Sequence, residues 1–256
     1  MKYLILVLVS ISCLCLKAQA QNTPVDNDGF HQILSERKLT LHQLWDELLK
    51  KNVSDDGNVN YESFKVDHGK LLGYIHTLDL AYSDNSFQTF SKKEKMAFWI
   101  NAYNAFTIDL ILRNYPVKSI KDIKNPWKQH LWKLGDKMYD LDEIENNILR
   151  KMNEPRIHFA INCASKSCPK LMNVAYTAEN IDSLLEQSAK DFINNPNENN
   201  LSENSVQLSK IFKWYKSDFT KNGTLLDYIN QYSTVKVHQD ASISFLDYDW
   251  SLNEQK

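Results

Sequence analysis

Glycine is scarce, with six residues in a chain of 256. Neither Gly-x-Gly-x-x-Gly nor Gly-x-x-x-x-Gly-Lys-Ser/Thr can be written from them, so the common nucleotide cradles are excluded. A dominant charge is also lacking: 30 basic and 32 acidic side chains leave a net charge of −2. Nucleic-acid binders need a basic face that releases counterions, and polybasic membrane-surface proteins need a cationic cluster; neither fits this balance. No His-Glu-x-x-His and no paired Cys-x-x-Cys with His-x-x-x-His occurs, so neither a metal nor a cofactor is expected. There is no internal repeat and no Pro/Gly-rich linker. Hydrophobic residues make up 43% of the chain, enough to build a core.

Long apolar runs are confined to the start. Met1–Ala20 carries Lys2, an apolar stretch from Tyr3 to Leu16 and the ending Ala18-Gln19-Ala20, the three-part pattern of a secretory signal cleaved after Ala20. The stretch, about 14 residues, is short of the roughly 20 that span a bilayer. A lipid-modified Cys13 or Cys15 fits less well. The expectation is a secreted or periplasmic protein with no membrane span after cleavage. Of four cysteines, Cys163 and Cys168 then remain, too few for a disulfide scaffold.

Residues 21–38 read as a polar, mobile arm, and 39–253 as one α+β domain. Thr40 and Gln43 resemble a capping box ahead of a helix ending near Val53. Asp55-Asp56-Gly57-Asn58 is a turn; as a calcium loop it fails, because Ser63 stands where a bidentate Glu belongs. Ser91 and Glu94 cap a long helix that runs to Arg113 and is apolar on nearly every side, the mark of a buried centre. This helix is expected to pack on a small mixed or antiparallel sheet. Leu131–Leu134 and Lys137–Tyr139 read as a hairpin, and Asp140 to Arg150 as a helix. Arg156 to Asn162 reads as a strand. Helices follow over 177–194, 209–219 and 223–232, with short strands at 206–208 and 235–237.

Three groups can carry chemistry. Asn101 and Asn104 share a face of the long helix; they either tie down irregular backbone or line a polar cleft. Strand alternation would set His158 on the face opposite Ile157, Phe159 and Ile161, as a hydrogen-bonded structural residue or a base. Cys163 opens the loop Cys163-Ala164-Ser165-Lys166-Ser167-Cys168-Pro169, as a nucleophile, a partner of Cys168 or a plain thiol. Strict strand geometry separates His158 from Cys163, so a dyad needs a bend after Asn162. Glu145 is either a charge suited to a helix start or a general acid or base. Trp214, Tyr215, Tyr248 and Trp250 read as core.

The segments FWINAYNAF (98–106), LDEIENNILR (141–150), RIHFAINCASKSCPKL (156–171), LSKIFKWYKSDF (208–219) and LDYDWSLN (246–253) resemble the DUF547 family, domains of unknown function. The resemblance covers about 39–253 in the family's motif order and implies an extracytoplasmic bacterial protein. Asn146 stands where the family carries a His. Three functions are weighed. In the first, a polar cleft lined by Asn101, Asn104, Glu145, His158 and the 163–169 loop, with Ser165 and Lys166, binds a ligand or envelope partner. In the second, a hydrolase or transferase of envelope peptides or amides uses Cys163 as nucleophile, His158 as base and Asn101 at the oxyanion. The third is a structural interaction module.

Overall fold

The computed structural model describes residues 41–255. The expected leader, the arm at 21–38 and the cap at Thr40 lie outside the described residues. Among those described, no helix is long and apolar enough to cross a membrane.

The chain forms an α+β domain. Helices α1 (Gln43–Asn52), α2 (Tyr61–Val66) and α3 (His68–Ser83) lead to α4 (Lys92–Asn114). The reciprocal Ser91/Glu94 capping box starts α4, and every residue from Met96 to Leu112 is buried. Sequence reading assigns no element between Tyr61 and Ser83, although α3 buries Leu71, Tyr74, Ile75 and Leu78 at helical spacing.

The hairpin forms as expected, β1 (Trp132–Leu134) against β2 (Lys137–Tyr139), with Gly135 at φ +63° in the turn. Trp132 stacks on Phe106 of α4, ring centres 4.6 Å apart, and its indole N–H donates to Asp109 at 2.7 Å. Buried Asp109 also accepts from His68 and Arg113, which ties α3 and the hairpin to α4.

Helix α5 changes pitch along its length. It is an α-helix at Leu141–Glu143, a π-helix at Ile144–Leu149 and a 3-10 turn at Arg150–Met152. Single π turns inside helices often mark functional sites.

The expected strand at 156–162 is absent; Pro155–Phe159 is a 3-10 turn. Pro155 takes the first helical position, and the Glu154 carboxylate accepts from the Arg156 N–H. The apolar alternation has another cause: the segment runs between two cores. Ile157 and Ile161, joined by an i to i+4 hydrogen bond, face the α4 core. Phe159 turns the other way, to Phe192, Phe212 and Phe219.

That second core holds α6 (Ile181–Ile193), α7 (Lys210–Trp214), α8 (Lys216–Phe219), α9 (Leu225–Tyr232) and a mixed sheet. In the sheet β3 (Asn200–Leu201) pairs antiparallel with β4 (Ser205–Leu208), which pairs parallel with β5 (Ser242–Phe245). The expected helix at 209–219 is broken in two at Tyr215, and the last strand lies at 242–245 rather than 235–237. The mixed sheet serves the second core, so the hairpin alone brings strand to the central helix.

Asn101 is fully buried and holds the Tyr176 main chain with both amide atoms: Nδ2 donates to its carbonyl at 2.7 Å, and Oδ1 accepts its N–H at 3.0 Å. Asn101→Leu therefore orphans two buried groups. The expected loss is about 2 kcal/mol or more, read as a lower urea midpoint at unchanged slope; a midpoint equal to wild type would contradict it.

Candidate functional site

Elements from both cores face one hollow of about 840 Å³. From the α4 side come Tyr103, and Glu145 on the π turn of α5. The 3-10 turn gives His158, the following loop gives Cys163 and Cys168, and α7 gives Trp214 with Tyr215 just beyond. Tyr248 and Trp250 come from the tail. The segment 121–128 closes another wall with Trp127 and three lysines.

Asn104 builds the base of the site. Its Nδ2 donates to the Ala160 carbonyl at 3.0 Å and its Oδ1 accepts the Asn162 N–H at 2.8 Å. Asn162 in turn brackets the sulfur loop: Oδ1 accepts the Ala164 N–H, and Nδ2 donates to the Pro169 carbonyl, both at 2.8 Å. Ala164 sits at φ +59°, a left-handed conformation that costs a non-glycine residue about 1–3 kcal/mol. The tail holds it there. The Asn253 N–H donates to the Ala164 carbonyl, and the Lys166 and Ser167 N–H groups donate to Ser251 and Asp249 carbonyls.

Three partners surround Cys163 Sγ. The Ser165 hydroxyl lies at 3.1 Å, Cys168 Sγ at 3.2 Å and the Tyr248 hydroxyl at 3.4 Å. The Cys168 thiol, then Ser165 and Tyr248, favour the thiolate against the opposing effect of burial, so Cys163 is lowered to about 7. Burial, then the neighbouring Cys163 sulfur, pushes Cys168 well up. Both are free thiols.

His158 is buried, and its ring stacks on Tyr215 with centres 3.9 Å apart. Its Nε2 meets Asp218 Oδ2 at 2.9 Å, while its Nδ1 has no hydrogen-bond partner. Arg150 also holds Asp218, at 2.6 Å through Nε and 3.2 Å through Nη2. The neighbouring His158 and Arg150 keep the Asp218 carboxyl well below the usual carboxylate range.

Glu145, also buried, accepts from the Tyr103 hydroxyl at 3.1 Å and has no cation within ion-pair distance among the described residues. Burial, reinforced by the Glu145 charge, pushes the Tyr103 and Tyr215 phenols up, so both stay protonated.

Cys163 and His158 thus share the hollow without touching each other; the expected dyad is not formed, because the turn at 155–159 directs the imidazole to Asp218. Asn101 and Asn104 do not line the hollow, since their amides are spent on main chain. Ser165 is buried against Cys163 and Tyr248. Lys166 is exposed and borders a second hollow of about 570 Å³ with Ser165 and Cys168. Asp218, Tyr103 and Asn162 escape sequence reading. Asp218 sits in the segment LSKIFKWYKSDF, but nothing local says that it meets a histidine 60 residues away. The aromatics read as core stand at the hollow instead, with Trp214 45% exposed. No group of three or more His, Cys, Asp or Glu among the described residues is placed to hold a metal ion.

Residues 87–193 match the family DUF547, described as a protein of unknown function. The matched stretch carries Tyr103, Glu145, His158 and both cysteines; Asp218, Tyr248 and the Trp214–Trp250 wall lie beyond it. No curated protein and no solved structure matches the chain.

With its folded pKa depressed, Asp218 adds stability that is present above the ordinary carboxylate pKa of about 3.9 and lost as pH falls below it. Asp218→Asn should lower stability at pH 6 and flatten the loss from about pH 4 down to about pH 2 in urea titrations, the range just below that ordinary pKa. Parallel acid limbs for the two proteins would contradict this.

Proposed function

We propose that the domain binds a compact organic ligand in the 840 Å³ hollow, outside the cytoplasm. The observation that carries this reading is the make-up of the wall, where the Glu145 carboxylate and the Cys163 thiol converge with the exposed Trp214 and the cations of Lys124 and Lys128. A mostly aromatic hollow with a few convergent polar groups is the usual form of a small-molecule site. The ligand presents N–H or O–H donors to Glu145. It packs an aromatic or other apolar part among Trp127, Trp214 and Tyr248. It turns an anionic group to Lys124 and Lys128, neither of which has an ion-pair partner among the described residues. The leader-like residues 1–20 support the location.

A second reading keeps the Cys163-dependent hydrolase or transferase of envelope peptides or amides. The lowered thiol of Cys163 favours it. It requires the substrate to bridge Cys163 and His158, and it leaves Asn101 no part.

The anionic aromatic dye 8-anilinonaphthalene-1-sulfonate probes the hollow directly. It should bind the folded protein saturably and draw energy from tryptophan. Trp214→Ala should weaken binding several-fold through the loss of about 0.5–1.5 kcal/mol of ring contact, measured under conditions where the variant is fully folded. Absent or non-saturable binding, or equal affinity in the variant, would overturn the reading.

A further inference from the structure

The cysteine pair has no structural duty that requires two free sulfurs. The loop ends are already held by Asn162, and the loop's back by the tail. Yet the sulfurs sit 3.2 Å apart, both half-buried, both on the wall of the hollow. The Cys163 N–H also points at Cys168 Sγ, at 3.1 Å. The loop between them carries the left-handed Ala164, held by the tail, and residues kept in sparsely populated conformations cluster at working sites.

We propose that Cys163 and Cys168 form a dithiol that exchanges with a disulfide-bearing ligand admitted to the hollow, Cys163 attacking and Cys168 resolving. This deepens the reading of the hollow as a binding site and rests on it. The two sulfurs are unequal in the way such exchange needs. Cys163 Sγ lies within hydrogen-bond reach of the Ser165 and Tyr248 hydroxyls and of Cys168 Sγ, polar company that favours its thiolate. Cys168 lies behind it and is held as the thiol. An attacking thiol does best with a pKa near the ambient pH, and Cys163 is lowered to about 7.

In the first step the Cys163 thiolate forms a bond to one sulfur of the ligand disulfide. The ligand S–S bond breaks, and the first half leaves as a thiolate. In the second step Cys168 attacks Cys163 Sγ of the mixed disulfide; its proton passes to the departing second half, which leaves as a thiol. The ligand disulfide is reduced to two thiol fragments, and the protein dithiol is oxidised to a Cys163–Cys168 disulfide. The nearness of Cys168 separates this chemistry from acyl transfer, which has no use for a second sulfur against the nucleophile.

The aromatic, anionic disulfide 5,5′-dithiobis(2-nitrobenzoate) matches the wall and the rim lysines and serves as the probe, with products mapped by mass spectrometry to peptides containing residues 163–168. Wild type should release both halves of the reagent and end as a Cys163–Cys168 disulfide. Cys168→Ser should release one half and retain the other on Cys163. Cys163→Ser should react at Cys168 at least about tenfold more slowly than Cys163 does in wild type, as expected for a protonated thiol. A second measurement covers a variant that fails to fold: below neutral pH, wild-type Cys163 should react faster in the native protein than in urea. No mixed disulfide on Cys163 of folded Cys168→Ser, or slower native than denatured reaction, would overturn the exchange even if the naphthalene dye binds. Exchange that saturating dye does not slow would show that the disulfide reaches Cys163 without entering the hollow, and would overturn the proposal on that count.

Discussion

The amide of Asn104 holds the site in place. A helix buried on every side cannot orient its neighbours by amphipathicity, because it presents no polar face that marks one direction. Asn104 supplies that direction by gripping the Ala160 carbonyl and the Asn162 N–H. Asn101 does the same one turn earlier for Tyr176. The grip is strong because both ends are dry. Each unpaired amide or carbonyl there would cost its full desolvation penalty, so the irregular chain between 160 and 176 has few other places to go. Asn162, positioned in this way, sets the sulfur loop.

The hollow arises where two cores meet. The α4 core brings Tyr103 and, through the wide turn of α5, Glu145. The second core brings Tyr215 and Asp218. His158 belongs to the turn between them and is bound across the gap by Asp218, which Arg150 reaches from α5. The acid–imidazole contact is therefore a strut between cores as well as the orienting bond of the imidazole. The tail adds the last wall, because Tyr248 and Trp250 face inward while the alternate main-chain groups hold the loop.

Elements with strong local chemistry were legible in the sequence. The Ser91/Glu94 box and the seventeen buried positions that follow predict α4, and Gly135 predicts the hairpin turn. The α+β class follows from these. The residues at the hollow were partly legible too: Cys163, His158 and Glu145 stand out as polar groups in apolar settings. Their grouping does not, because alternation at 157, 159 and 161 fits a strand on one core as well as a turn between two. Tertiary packing decides that case, with Pro155 and Glu154 as the local hints. The π turn of α5 has no sequence period that marks it, and Asp218 meets His158 only through the fold.

Tyr61 and Asn253 meet through a 2.7 Å hydrogen bond across 192 residues, and Asn253 also reaches Ala164 and Asn162. Loops of that span must close before their contacts repay the entropy of closure, so such pairings come late. The Trp132 hairpin draws instead on partners nearer in sequence, Phe106 and Asp109 of α4. Without the tail, the loop that carries the thiol pair would lose the main-chain bonds it shares with Asp249, Ser251 and Asn253.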